Sequence, residues 1–272
     1  MLRYLEKKFV QLNRQFGRAP IIGALFRNFK NFARRPIFDG IRLQLLIMPR
    51  VREVTSAVLG DIDTSVWEKE ALETYAVKSD FGVKQSGVYN LILAHILIRA
   101  RKMQVVIETG ISSGRSSTAF LEALCMNNEG TLYSFDLDPE DTARTPLATK
   151  PEYAAHYQNY TTYAPVGVKA PGWLVPDFVK SRWVVTLGDS NITLPKKLSE
   201  IGTIDMFYHD SDHTYETMTH EFNEAWPRLR SGGLLLVDNA STSNAYPDFI
   251  EKHRGEIAFH HYYSALGVIL KK

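Results

Sequence analysis

Residues Val105–Thr118 read Val-Val-Ile-Glu-Thr-Gly-Ile-Ser-Ser-Gly-Arg-Ser-Ser-Thr, and this run constrains the fold more than any other stretch. Apolar β-branched residues enter an acid, then two glycines separated by three residues, then small hydroxyl residues. The pattern predicts a buried strand over Val105–Thr109, a sharp turn, and a helix from Ser116. Gly110 and Gly114 let the backbone bend and let a ligand approach it closely. The helix behind them presents unpaired N–H groups and the positive end of its dipole. Such a strand–turn–helix unit belongs in a parallel α/β sheet.

A chain of 272 residues, 44% of them hydrophobic, has enough apolar material for a full core. The single cysteine, Cys125, has no internal disulfide partner, which fits a reducing, cytoplasmic setting. No apolar run reaches the length of a membrane span, and the first residues lack the order of a secretory signal. Charge is unevenly placed. Residues 1–52 carry twelve Lys and Arg against Glu6 and Asp39, about +10, which leaves about −8 for the rest of a chain whose net charge is +2. Three settings suit this segment: the acidic body of the chain itself, another acidic partner, or an anionic membrane surface touched peripherally. Nucleic acid is not expected, because no binding motif accompanies the charge.

Residues 1–18 have helical spacing (Leu2, Leu5, Phe9, Leu12, Phe16), and Pro20, Pro36, Gly40 and Pro49 interrupt the stretch from 19 to 50. Residues 1–64 are therefore expected to form a basic, helical extension that caps the main domain or mediates homo-oligomer contacts. The organised domain is expected over 65–272. Its predicted helices are Trp67–Val77, Ser86–Arg101, Ser116–Met126, Leu194–Glu200, Thr214–Leu229 (shortened by Pro227) and Tyr246–Arg254. Its predicted strands are Val105–Thr109, Thr131–Asp136, Trp183–Leu187, Ile204–His209, Leu234–Val237 after a Ser231-Gly232-Gly233 stop, Ile257–Tyr263 and Leu266–Leu270. This alternation predicts a doubly wound, mostly parallel, seven-stranded Rossmann-like sheet closed by an antiparallel C-terminal hairpin. Pro139–Ser181 is too long for a plain crossover and is rich in Tyr, Pro and Thr. It is read as a substrate lid at the carboxyl end of the second strand.

Asp136 ends the second strand, where an acid can accept hydrogen bonds from both ribose hydroxyls of a nucleoside; the plain alternative is an ordinary acidic strand end. A dinucleotide fingerprint fails, because its second and third glycines would fall at Ser112 and Arg115. Glu108-x-Gly110-x3-Gly114 instead resembles the first motif of class I S-adenosylmethionine-dependent methyltransferases, with Asp136 matching the acid of their second. The resemblance implies S-adenosylmethionine as cofactor. It places Glu108, Gly110, Gly114, Ser116 and Asp136 at that ligand, Asp189 and Ser190 at its adenine, and Gln85 and Ser86 over its methionine moiety.

The fourth strand runs into Asp210-Ser211-Asp212-His213-Thr214-Tyr215, and the fifth into Asp238-Asn239. Oxygen ligands from Asp210, Asp238 and Asn239 at neighbouring strand ends suit magnesium with positions left for water and substrate. The run resembles the metal-dependent O-methyltransferases: the catechol group and, more closely, the macrocin and mycinamicin sugar O-methyltransferases with the cephalosporin-hydroxylase-type sequences. There an Asp–x–Asp–His–x–Tyr run precedes Gly-Gly-x4-Asp, here Gly232-Gly233 and Asp238. The Asp238-Asn239 pair departs from the two acids found in parts of the macrocin group. A histidine near its reference pKa can accept a hydroxyl proton at neutral pH, so His213 is the expected base, with a helix cap as its alternative. Asp212 is read as a helix N-cap or a further metal contact, His209 and His95 as structural, and Tyr215 as orienting substrate or packing. The expected reaction is methyl transfer to a hydroxyl of a small molecule, glycoside or natural product. The rivals are a lipid-linked or surface polysaccharide acceptor, and a non-catalytic nucleoside-binding scaffold.

Overall fold

The computed structural model describes residues 43–77, 88–138, 170–263 and 265–272. The helix expected over 1–18, Gln85, Ser86 and the 139–169 part of the expected lid lie outside the described residues. The chain divides into two compact units, Met1–Arg50 and Val51–Lys272. The described end of the first is a π-helical turn, Leu43–Ile47, running into helix α1 (Met48–Leu59).

In the second unit, helices α2 (Ser65–Val77) and α3 (Val88–Arg101) precede the alternating part. That part consists of β1 (Val105–Thr109), α4 (Arg115–Asn127), β2 (Thr131–Asp136), β3 (Trp183–Leu187), α5 (Ser190–Ile201), β4 (Ile204–His209), α6 (Tyr215–Ala225), β5 (Leu229–Val237), α7 (Ala245–Lys252), β6 (Ile257–Tyr263) and β7 (Leu266–Lys271). Among the described residues seven strands form one sheet in the order β3-β2-β1-β4-β5-β7-β6. Strands β1 to β5 are parallel, and β7 lies antiparallel between β5 and β6. The expected doubly wound sheet and closing hairpin are both present. Among the described residues no helix is long and apolar enough to cross a membrane.

Strand alternation sorts the core into two faces. Ile107, Phe207, Leu235 and Ile269 are aligned across β1, β4, β5 and β7, and pack with Leu194, Met218, Phe222 and Phe249 of α5, α6 and α7. The other face presents Tyr208, whose ring meets Phe120 of α4 edge-on at 5.1 Å. Helix α3 was expected to bury one side, yet every residue from Tyr89 to Ile98 is buried. The reason is that α3 lies between α2 and α4, and its sequence is apolar nearly all round.

Three boundaries differ from expectation by four residues or more. Helix α5 starts at Ser190, because the Asp189 carboxylate accepts the Asn191 N–H at 2.9 Å and caps it four residues earlier than the apolar pattern suggests. Helix α6 ends at Ala225, and Pro227, which has no N–H to donate, falls in a 3-10 turn over Trp226–Arg228. Strand β5 starts at Leu229 rather than Leu234: Leu229 pairs with Ile204 and Leu234 with Met206, so the residues between them bulge. Arg101 holds that bulge by donating to the Gly232 carbonyl at 2.6 Å, and Arg230 donates to Asp205 at 2.5 Å.

Candidate active site

The strand order reverses at β1, with β2 on one side and β4 on the other, so a crevice opens at the carboxyl ends of these strands. The Gly110 amide donates to the Phe135 carbonyl at 2.8 Å, and the Asp210 amide donates to Thr109 at 2.9 Å. Gly110 has φ +85°, and a Cβ there would lie 2.0 Å from the Asp210 carbonyl oxygen. The first glycine is thus required for the end of β4 to cross the turn, before any ligand is considered. A Cβ on Gly114 would meet Val175 at 2.4 Å and Gly172 at 2.8 Å. The described end of the expected lid lies on the turn, where Gly172 and Leu174 donate to the Ser112 and Ser113 carbonyls at 2.8 and 2.9 Å. Gly114 caps α4 without any side-chain hydrogen bond, which leaves the helix's first N–H groups for other acceptors.

The acids around the turn are committed to the protein. Glu108 is fully buried, and its Oε2 accepts from Ser117 Oγ at 2.6 Å and Ser134 Oγ at 2.7 Å. Burial pushes its pKa up to about 7 against three serine hydrogen bonds, one of them from Ser116, and Asp136 pushes it further up. The structure therefore places Glu108 and Ser116 beneath the turn, where the carboxyl ties β1, β2 and α4 together and is sealed from the crevice. Asp136 Oδ2 accepts from the Ile111 and Ser112 amides at 3.0 and 2.7 Å, and Oδ1 accepts from Leu137 at 2.7 Å. Burial raises its pKa in spite of these bonds. Asp189 Oδ1 caps α5, and Ser190 Oγ donates to Glu221 at 2.7 Å, so each side chain also serves the start of α5. The turn they follow is anchored to β2 by the Gly188 amide on the Asp136 carbonyl at 2.9 Å.

Beyond β4 and β5, Asp210, His213 and Asp238 converge, with one ligand atom of each lying within 4.8 Å of the others. His213 Nε2 is 3.9 Å from Asp210 Oδ1 and accepts from Asn239 Nδ2 at 3.0 Å. Asn239 adopts φ +50°, a left-handed conformation that aims its amide at this ring. Asn90 of α3 donates to Asp238. Asp210, recessed yet 31% exposed, has its pKa pushed well above the carboxylate range, first by desolvation and then by the Asp238 charge, while a hydrogen bond from Tyr208 opposes the rise. Asp238 is likewise raised by burial, opposed by Asp210 and Asn90. Two facing carboxyls beside an imidazole match the oxygen and nitrogen donors that a hard divalent cation takes, and cation ligands about 2 Å from a common centre fall within the observed spread. The residues fit a metal, and His213 joins Asp210 and Asp238 as a potential ligand, a place that the strand-end pattern alone assigns to Asn239.

Of the remaining expected residues, His209 is fully buried and bonds through Nδ1 to Glu221 at 2.7 Å, on the face away from Asp210. His95 is fully buried, 3.9 Å from Glu70, and burial lowers its pKa to about 4. Thr214, not Asp212, is the N-cap of α6; Asp212 Oδ2 accepts from the Thr214 and Thr217 hydroxyls at 2.9 and 3.2 Å. Tyr215 donates to Asp248 of α7 at 3.2 Å. Asn90, Tyr208 and Glu221 join the site without belonging to any sequence motif. Their only signal is a polar group among apolar neighbours on a buried helix or strand.

The family model described as a methyltransferase domain matches residues 107–240, which span β1 to the residues after β5. Residues 107–240 are a methyltransferase domain. No curated protein matches the chain by sequence. Solved structures similar to it include an O-methyltransferase from Bacillus cereus in complex with SAH, 15% identical over 82% of this chain and 97% of that one, with TM-score 0.46. Another is the O-methyltransferase TomG from Streptomyces achromogenes, involved in tomaymycin synthesis and in complex with SAM, 16% identical over 86% and 95%, with TM-score 0.47. A third is the MycE methyltransferase of the mycinamycin biosynthetic pathway with Mg and SAH, 16% identical over 75% and 54%, with TM-score 0.46. In this chain the methyltransferase domain contains both halves of the site: the glycine turn and Asp136 at one end, Asp210, His213 and Asp238 at the other.

Proposed function

We propose that the chain transfers the methyl group of S-adenosylmethionine to a hydroxyl oxygen of a small molecule or glycoside, with a divalent cation, magnesium by donor type, at Asp210 and Asp238. The observation that carries this reading is the convergence of Asp210, His213 and Asp238 beside the glycine turn of a methyltransferase domain. When bound, the sulfonium supplies an electrophilic methyl carbon and the cation lowers the pKa of a hydroxyl beside it. The turn from Gly110 to Gly114 and the uncapped start of α4 would hold the donor, with Asp136 fixing the turn through three backbone amides. Asp210, Asp238 and either His213 or Asn239 would hold the cation. With Asn239 as the third ligand, His213 would take the acceptor's proton at Nε2, which lies 3.0 Å from Asn239 Nδ2. The catalytic contribution of the protein is chiefly alignment, since oxygen, methyl carbon and sulfur must be collinear.

Calorimetry of the full chain with S-adenosylmethionine, with and without magnesium, tests this. Absence of donor binding removes the methyltransferase activity and leaves a scaffold; full turnover by Asp238→Ala on an identified acceptor removes the metal. The charge asymmetry favours a second reading of the acceptor, a lipid-linked or surface polysaccharide met at the membrane through the basic residues 1–64, with 65–272 as the catalytic domain. Flotation with anionic liposomes, with and without residues 1–52, decides it.

A further inference from the structure

One fully buried carboxylate, Glu221 on α6, joins three separate segments of the site through four side chains. Its Oε2 accepts from Thr109 Oγ1 at 2.6 Å and from His209 Nδ1 at 2.7 Å. Its Oε1 accepts from Ser190 Oγ at 2.7 Å and Ser211 Oγ at 2.8 Å. Thr109 is the last residue of β1 and immediately precedes Gly110. Ser190 opens α5 directly after the turn anchored to β2. His209 and Ser211 flank Asp210 on both sides in sequence. The His209 ring also meets His213 edge-on, with centroids 5.5 Å apart.

The geometry points to Glu221 as the positioning residue of the metal cluster: it clamps Asp210 from both flanks and sets its height against the glycine turn. A buried carboxylate with all its acceptor directions used has one geometry, so the strand ends it holds have one relative placement. Without it, His209 and Ser211 would lose these side-chain hydrogen bonds, which leaves His209 its backbone pairing and its ring contacts with His213 and Phe222, and Asp210 its amide on Thr109. Partners that orient metal ligands from behind are worth about 10- to 100-fold in metal affinity. Glu221 touches neither the cluster's ligand atoms nor the crevice, so it acts only through the residues it holds. The inference rests on the reading of Asp210 and Asp238 as cation ligands.

The test uses the full chain, with Mn²⁺ as a spectroscopic probe of the magnesium site. Binding is followed by electron paramagnetic resonance, S-adenosylmethionine binding by calorimetry, and folding by urea midpoint. Ser211→Ala removes one clamp contact and leaves the carboxylate in place; Glu221→Gln keeps the shape and changes the acceptor set. The expected result is about a tenfold or larger loss of Mn²⁺ affinity in Ser211→Ala, with donor affinity and urea midpoint close to wild type, and a loss in Glu221→Gln at least as large. A merely structural role would lower the midpoint and leave the affinity of the folded fraction unchanged, which overturns the inference. Mn²⁺ affinity within twofold of wild type in Ser211→Ala overturns it as well. If the wild-type chain binds no Mn²⁺, the cation reading itself fails and the inference falls with it, an outcome distinct from a tight wild type with equally tight variants.

Discussion

Replacing Glu108 with glutamine should make the protein more stable at alkaline pH and leave it nearly unchanged in acid. The side chain is fully buried, and its Oε1 has no hydrogen-bond partner among the described residues, so the charged form is penalised. The folded pKa is about 7 against an ordinary 4.5. Because the folded value is the higher one, the contribution to stability is complete below pH 4.5 and is lost as pH rises through 7. The shift of about 2.5 units, at about 1.4 kcal/mol each, gives a loss of about 3 kcal/mol between pH 4.5 and 8. Glutamine reproduces the protonated carboxyl: its carbonyl can accept from Ser117 and Ser134, and its amide stands where the protonated Oε1 would be. Urea unfolding of both proteins, followed by tryptophan fluorescence between pH 5 and 8.5, should show the Gln variant gaining about 2.5 kcal/mol on wild type across that range. A difference that stays constant with pH, to within about 0.5 kcal/mol, would refute the placement of a penalised charge beneath the turn.

Neighbouring residues give further expected outcomes. Gly110→Ala should cost at least about 2 kcal/mol in urea unfolding and weaken Mn²⁺ binding, since its Cβ would drive the Asp210 carbonyl away and φ +85° disfavours any side chain. His213→Ala should lower turnover by about 10²- to 10⁴-fold if the imidazole is the base, with Mn²⁺ affinity kept; a parallel collapse of Mn²⁺ affinity assigns it to the ligand set instead. His95, with its pKa lowered to about 4 from 6.5, binds its proton more readily unfolded, so stability should fall by about 3 kcal/mol as pH drops from 6.5 to 4. His95→Gln should flatten that limb of the pH–stability curve, and an unchanged slope would show that another group is responsible.

Much of the arrangement is legible locally. A strand that is buried on both faces has to be a short apolar run, and a turn that feeds a helix needs its glycines, so β1, the turn and α4 follow from their own residues. Asp210, His213 and Asp238 stand out as a group because residues at the carboxyl ends of parallel strands share one edge of the sheet. Asp189 and Ser190 are harder to place. An acid and a serine after a strand serve equally as ligand contacts and as a helix start; the Asn191 amide, two residues on, takes Asp189, and Glu221, met only after folding, takes Ser190. Glu221 itself looks like one more polar residue of α6, although it lies on the same stripe as Met218, Phe222 and Ala225.

The amino-acid pattern by itself determined the layer order, the hairpin at the end and which strand termini carry acids, because periodicity and turn chemistry act within a few residues. Tertiary structure decided what each acid faces. Glu108, Asp136 and Asp210 are carboxylates near strand ends and Glu221 is one in the middle of α6, and their surroundings are set by distances between elements far apart in the chain. The first two brace the turn, the third meets Asp238 and His213, and the fourth holds their supports. Burial, pairing and pKa are set by neighbours brought together from β1, β4, β5 and α6, and no local rule specifies those neighbours.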